Sequence, residues 1–199
     1  MLYTEKTLRA ALKNGTFTLR PEDRLTPSAR DLLGQHKGTP AGAKPEHMTH
    51  LKPGELVPKT HPRIAFRGKI DSLEGVILLC LKEPGAPTKV LGEMLDFCRS
   101  LMRADVLGEP VQERSLHGLT PEDLRHRSHN PQKYYGTPHI LPSAEDSRVL
   151  LLLNYLRTQV RETELQSYHA FPKRTDIHRG LNRLSSLCWI LCLEERQKL

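Results

Sequence analysis

Beyond about residue 60, apolar positions recur every three or four residues, the period of a helix with one buried face. Val90, Leu91, Met94, Leu95, Cys98, Leu101 and Met102 form one such stripe. It predicts a helix from Thr88 to Leu107, stopped by Gly108. A second helix is expected from Arg63 to Leu81, and its last part, GVILLCL, is apolar on every side. Such a segment is expected to be buried all round. Thr120-Pro121-Glu122-Asp123 has the form of a capping box and opens a short helix ending near Asn130-Pro131. Ser143-Ala144-Glu145-Asp146 is expected to open a long helix to Ala170, closed by Phe171-Pro172. A last helix is expected from Asp176 to Glu195.

The first 50 residues read differently. A short helix over residues 4–13 is followed by a turn at Asn14-Gly15 and a short strand from Thr16 to Leu19. Thr26 caps and Pro27 starts another helix, Ser28 to Leu33. Gly34 to His50 is nearly devoid of apolar residues and rich in Gly, Pro and Lys, and so reads as a mobile loop. The expected architecture is all-α. Residues 51–199 form an up-and-down bundle of about five helices, and residues 1–50 a short mixed extension.

Charge adds a preference for anions. The 199 residues carry 30 Lys and Arg against 23 Asp and Glu, a net charge of +7 with a pI near 9.4. Nucleic acid is the first anion to weigh. Only five Tyr, four Phe and one Trp are present, and the basic residues are not massed on one recognition helix, so no nucleic-acid partner is expected. No apolar run approaches the ~20 residues that span a bilayer, and the amphipathic start MLYTEKTLRAALKNG lacks a signal-peptide core. A cytoplasmic protein without membrane contact is expected. Cys80, Cys98, Cys188 and Cys192 lie in apolar helical stretches without a C-x-x-C pair and read as buried thiols. His36, His47, His50, His126 and His129 form no recognised ligand pattern, and no metal centre is expected. P-loop, dinucleotide-binding and G-x-S-x-G motifs are absent.

Two polar stripes remain. On the long helix Asn154, Arg157, Arg161, Glu164 and Tyr168 fall at spacings of 3, 4, 3 and 4, so they share one face. Paired arginines present fixed donor forks suited to phosphate oxygens. By itself the stripe fits either a solvated, ion-paired face or a phosphate-binding one. Arg67, Asp71 and Glu74 make a second stripe on a helix that then becomes wholly apolar. A buried Asp71 requires a cation, and the arginines of the long helix are candidates. Asn182 interrupts the apolar series of the last helix for a structural or a binding reason.

Seven segments in order, LTPSARDLL (25–33), MTHL (48–51), KTHPRIAFRGKIDS (59–72), LMRADVLGEPV (101–111), GLTPEDLRHRSHNP (118–131), LLNYLRTQVRETE (152–164) and LNRLSS (181–186), resemble the ATP:corrinoid adenosyltransferases of the ethanolamine-utilisation (EutT) type. A more distant similarity links them to the PduO type, whose R-x-x-x-R-x-x-E helix and following L-N-R-L-S helix build an ATP site. Arg157, Arg161, Glu164 and Asn182 match that pattern position by position. GKIDSLEGVIL is similar to the family helix whose aspartate pairs with an arginine across a subunit boundary, which places Asp71 opposite Arg157 of another copy.

The resemblance implies that the 5′-deoxyadenosyl group of ATP passes to cob(I)alamin, giving adenosylcobalamin for ethanolamine ammonia-lyase, with tripolyphosphate leaving. It implies Mg²⁺ with the ATP, a reductase or flavin electron donor, a homotrimer or homodimer, and association with a bacterial microcompartment. Arg157, Arg161 and Glu164 take the catalytic roles, joined by Asn182 in binding ATP. Three departures stand out. The phosphate-gripping T-K-x-G-D-x-G loop of the PduO type is absent, which leaves Lys59 and Arg63 as the expected substitutes. The CC-x-x-C cluster of many EutT-type chains is missing from residues 34–50, so no bound transition metal is implied. His139 stands where the PduO type has a phenylalanine under the corrin, so Ile140 or Leu141 is expected to supply the apolar wedge. Rival readings are a non-catalytic corrinoid chaperone and a basic helical nucleic-acid-binding protein.

Overall fold

The computed structural model describes residues 1–13, 17, 20, 22–35 and 44–198. The chain divides into two compact units, Met1–Thr49 and His50–Leu199. In the first, β1 (Leu2–Tyr3) pairs in parallel with β2 (Arg24–Leu25), beside α1 (Glu5–Lys13) and α2 (Pro27–Gln35). Its small core is Leu8, Ala29 and Leu32 with Tyr3, Leu12, Phe17, Leu25 and Leu33 around it. Thr26 caps α2 as expected, its hydroxyl accepting from the Ala29 amide at 3.3 Å. Asn14-Gly15, most of the strand expected over 16–19, and His36 lie outside the described residues.

Ahead of the long helices comes a hairpin that the sequence reading missed. β3 (Met48–Lys52) and β4 (Glu55–Pro58) flank a Pro53-Gly54 turn, with Gly54 at φ 77°. Glycine adopts that conformation without strain. Leu51 and Val57 point inward and are buried. Met48 to His50 therefore belong to a strand rather than to the loop expected there.

Four long helices follow: α3 (Pro62–Leu81), α4 (Thr88–Leu107), α7 (Arg148–Ala170) and α8 (Thr175–Arg196). Two short helices, α5 (Pro121–His129) and α6 (Pro131–Tyr135), lie between α4 and α7. α7 packs on both α8 and α3, α3 on α4, and α5 on α8. The architecture is the expected helical bundle. Its core runs from Phe66, Ile70, Leu73 and Ile77 of α3 through Leu91, Met94 and Leu101 of α4 to the apolar faces of α7 and α8. Gly180 lets α8 approach α4, because a Cβ there would lie 3.0 Å from the Phe97 ring. All four cysteines are buried, and burial pushes the Cys98 and Cys192 thiols up to about 12.

Several helix expectations are corrected. The long helix starts at Arg148, capped by the Ser147 hydroxyl accepting from the Leu150 amide at 3.1 Å. The earlier signal makes only a local turn. Asp146 accepts from the Ser143 amide at 2.7 Å and is held by Arg196, so its carboxylate is engaged outside a helix cap. The GVILLCL segment is not buried all round, since Leu78 and Leu79 are 48% and 70% exposed. Asp71 is exposed on the same outer face of α3 and makes no ion pair within the chain among the described residues.

The buried charge of this region is Asp105 on α4, whose side chain is 0% exposed. Arg63 donates to its carboxylate at 2.7 Å and to its backbone carbonyl at 2.8 Å. Arg67 donates to the other carboxylate oxygen at 2.6 Å and to the Leu51 carbonyl at 3.0 Å. One carboxylate thus clamps α3 to α4 and ties the hairpin to both. Arg67 is consequently not free to reach solvent.

Candidate functional site

The two polar stripes read from the sequence have different fates. Arg67 and Glu74 of α3 turn toward α4, to Asp105 and to Arg99, the latter at 3.5 Å. Of the α7 stripe, Asn154 bonds to Arg157 and Glu164 to Asn182 of α8, while Arg157 and Arg161 open onto a cleft of about 370 Å³. Arg157 and Arg161 line it from α7, Asn182, Ser185, Ser186 and Trp189 from α8, and Ser128 and His129 from the end of α5. The fourth wall is the segment His139-Ile140-Leu141-Pro142 that leads toward α7.

Within the cleft the side chains hold one another. Arg157 Nε donates to Asn154 Oδ1 at 3.2 Å, and its guanidinium lies 5.4 Å from the Trp189 ring, a cation–π distance. The His139 ring stacks on the same indole, with centroids 5.8 Å apart. Asn182 Nδ2 donates to Glu164 Oε1 at 3.0 Å, which fixes the carboxylate beside the cleft. Arg161 is exposed and makes no ion pair among the described residues. Arg157 and Arg161 therefore present one positioned and one unengaged guanidinium to the same space. Tyr168, the last member of the stripe, leaves the cleft and stacks on His178 at 4.0 Å.

The structure thus brings six of the expected site residues into one wall-to-wall arrangement: Arg157, Arg161, Asn182, His139, Ile140 and Leu141. Glu164 joins them through Asn182. Ile140 is buried, whereas Leu141 is 89% exposed. Lys59 is exposed beyond β4, Arg63 is engaged by Asp105, and Asp71 lies on the outer face of α3; none of the three lines the cleft. Among the described residues no group of three or more His, Cys, Asp or Glu is placed to hold a metal ion.

Trp189 is the cleft residue that sequence reasoning missed. Asn182, Ser186 and Trp189 follow one another at spacings of 4 and 3, so a stripe extended from Asn182 would have reached it. Arg183, next to Asn182, was also passed over as a site residue. Its Nε and Nη1 are buried without a hydrogen-bond acceptor. Burial, and then the charges of Arg125 and Arg179, lower its pKa.

The family model described as cobalamin adenosyltransferase matches residues 41–195, which contain the whole cleft. The chain belongs to the cobalamin adenosyltransferase family. Its curated relatives include the corrinoid adenosyltransferase EutT of Escherichia coli K12, 37% identical over 163 residues, which are 77% of this chain and 60% of the relative. The EutT of Salmonella typhimurium LT2 is 36% identical over the same shares. This family member therefore spans 60% of the length of those curated relatives. Among solved structures, a variant PduO-type ATP:corrinoid adenosyltransferase from Lactobacillus reuteri, complexed with cobalamin and ATP, shares the fold. The TM-score is 0.55 at 16% identity, covering 77% of this chain and 90% of that one.

Proposed function

We propose that this protein transfers the 5′-deoxyadenosyl group of ATP to the cobalt of reduced cobalamin, for use in ethanolamine degradation. The observation that carries the reading is the convergence of Arg157, Arg161 and Asn182 on the His139–Leu141 segment across one cleft. A nucleotide and a flat apolar macrocycle need such opposite walls, one cationic and one apolar. In the reaction the cobalt electron pair attacks C5′, the bond from C5′ to its oxygen breaks, and tripolyphosphate leaves with those electrons.

The protein's share of this chemistry is positioning and electrostatics rather than proton transfer. Arg161, unengaged in the free protein, meets the phosphate chain as its charge grows. Arg157, held by Asn154 and Trp189, keeps its guanidinium at a fixed place. Glu164 and Asn182, already bonded to each other, orient the nucleoside. Leu141 is the apolar side chain free to press on a corrin face, because Ile140 is buried and His139 is stacked on Trp189. Mg²⁺ bound with the phosphates would be held on the protein side by Glu164, beside the cleft through its bond to Asn182, since Mg²⁺ commonly takes one or two carboxylates plus phosphates. Lys59, exposed and without an ion pair among the described residues, remains available to phosphate; Arg63 would have to release Asp105 first.

The decisive experiment mixes the chain with MgATP and chemically reduced cobalamin under anaerobic conditions. Light-sensitive adenosylcobalamin and an equal amount of tripolyphosphate are expected. Corrinoid binding with no tripolyphosphate released would overturn catalysis and favour a corrinoid carrier.

The proposal extends to a homo-oligomer, a trimer or a dimer. Leu78 and Leu79 of α3 and Leu151 and Tyr155 of α7 leave apolar surface uncovered, as surfaces awaiting another copy do. Asp71 lies on that outer face and makes no ion pair among the described residues, which suits pairing with Arg157 of a neighbour. Asp71→Asn is expected to weaken cobalamin binding at least tenfold, ~1.4 kcal/mol, and ATP binding less. Separate titrations of the two ligands, with the molecular mass in solution, check this; equal losses for both would remove Asp71 from the interface.

A further inference from the structure

Trp189 is the single tryptophan of the chain, and it touches two walls of the main cleft. It lies on α8 two turns after Asn182, partly buried, with its body packed on the bundle core. From the cationic wall on α7 the Arg157 guanidinium lies over the ring, 5.4 Å from its centroid. From the opposing segment the His139 ring stacks on it, with centroids 5.8 Å apart and planes 23° from parallel. His139 leads directly into Ile140 and Leu141, which line the same cleft. Among the described residues no other ring in this cleft carries both a cation and a second ring.

The indole works through its ring rather than its N–H. Nε1 is buried and has no hydrogen-bond acceptor among the described residues. An indole is the best ordinary partner for a guanidinium above a ring, and stacked rings attract beyond the area they bury. Arg157 has one further tether, from its Nε to Asn154 at 3.2 Å, and its other nitrogens make no hydrogen bond among the described residues. They stay open to an anion while the ring and Asn154 hold the group in place. His139 makes no hydrogen bond among the described residues, so the stack is what orients its side chain. Removing the ring therefore loosens one contact on each wall, whereas removing the N–H alone loosens neither.

We propose that Trp189 is a positioning residue that braces the two walls through one ring, holding Arg157 for the nucleotide and the His139 segment for the corrinoid. The inference deepens the adenosyltransfer reading above and rests on it. That reaction requires C5′ of one substrate to meet the cobalt of the other. A brace shared by both walls therefore acts on turnover more than on the affinity for either substrate alone, because small misplacements of reacting groups cost rate steeply.

The test uses the full chain with Trp189→Phe, which keeps a ring and drops the unused N–H, and Trp189→Leu, which keeps apolar bulk and drops the ring. With MgATP and chemically reduced cobalamin both saturating, turnover should fall about tenfold in Trp189→Leu and stay within about twofold of wild type in Trp189→Phe. Because the indole acts through Arg157, Trp189→Leu should lower affinity for inorganic tripolyphosphate about fivefold in the wild-type chain but under about twofold in an Arg157→Met chain. The same comparison with cobalamin in a His139→Ala chain reads the other wall. Equal turnover in the Phe and Leu variants, or equal costs of Trp189→Leu with and without either partner, would overturn the brace and leave the adenosyltransfer reading standing. Should Trp189→Leu fail to fold, the wild-type chain decides. Its emission comes from this one indole, and bound tripolyphosphate, which does not absorb, should shift it by neutralising the cation over the ring; unchanged emission on binding would overturn the inference. A wild-type chain that binds neither ATP nor cobalamin would overturn that reading and the brace together.

Discussion

Asp105→Ala is expected to destabilise the protein by about 3–5 kcal/mol, the usual cost of removing one side of a buried ion pair. The carboxylate has no exposed surface and is gripped by Arg63 and Arg67, whose side chains are 29% and 17% exposed. Without it two guanidiniums remain between α3 and α4, and among the described residues only the Asp105 and Leu51 carbonyls accept from them. For a domain of this size the loss corresponds to a fall in Tm of roughly 10 °C. Asp105→Asn keeps the shape and one acceptor, so it should fall between wild type and alanine. Thermal unfolding followed by circular dichroism measures both. A loss below ~1 kcal/mol for alanine would mean that the arginines swing to solvent and that the clamp is dispensable.

Arg161→Ala is expected to act in the opposite sense, lowering adenosylation about a hundredfold, ~3 kcal/mol, as loss of a preorganised charge at a transition state does. Its side chain is exposed, so truncation opens no cavity and Tm should hold. Glu164→Ala should match it in rate, because it removes the oriented carboxylate and releases Asn182 as well. The two losses should not add, since both residues serve one bound nucleotide. Steady-state turnover with reduced cobalamin, paired with melting curves, separates activity from folding. Near-normal turnover in either variant would remove that residue from the site.

Much of the bundle was legible in the chain. The stripe from Val90 to Met102 marks α4 to the residue, and the capping box at Thr120 forms as its residues indicate, with the Thr120 hydroxyl and the Asp123 carboxylate each accepting from the other residue's backbone amide at 3.1 Å. These are local signals, settled within one or two turns by period and cap. Spacing also put Asn154, Arg157, Arg161 and Glu164 on one face, because a helix fixes that geometry whatever surrounds it.

Tertiary structure decided what each face meets. A run such as GVILLCL gives no hint of whether a neighbour covers it, so Leu78 and Leu79 emerge uncovered on a single chain. The start signal at Ser143 opens no helix; Asp146 is engaged by Arg196, fifty residues away, and α7 begins after Ser147, which caps it. Charge partners are equally remote. Arg63 looked available to phosphate and Asp71 looked buried, yet the buried carboxylate is Asp105, forty-two residues from Arg63. Ion pairing depends on distances in space, which sequence separation does not encode. The chain by itself therefore determined the helices, their polar stripes and the family they resemble. Only the fold decided that Arg157 and Arg161 of the α7 stripe open onto a cleft with the His139–Leu141 segment and Trp189, while the α3 stripe turns to α4, because packing alone chooses which polar face is left facing space.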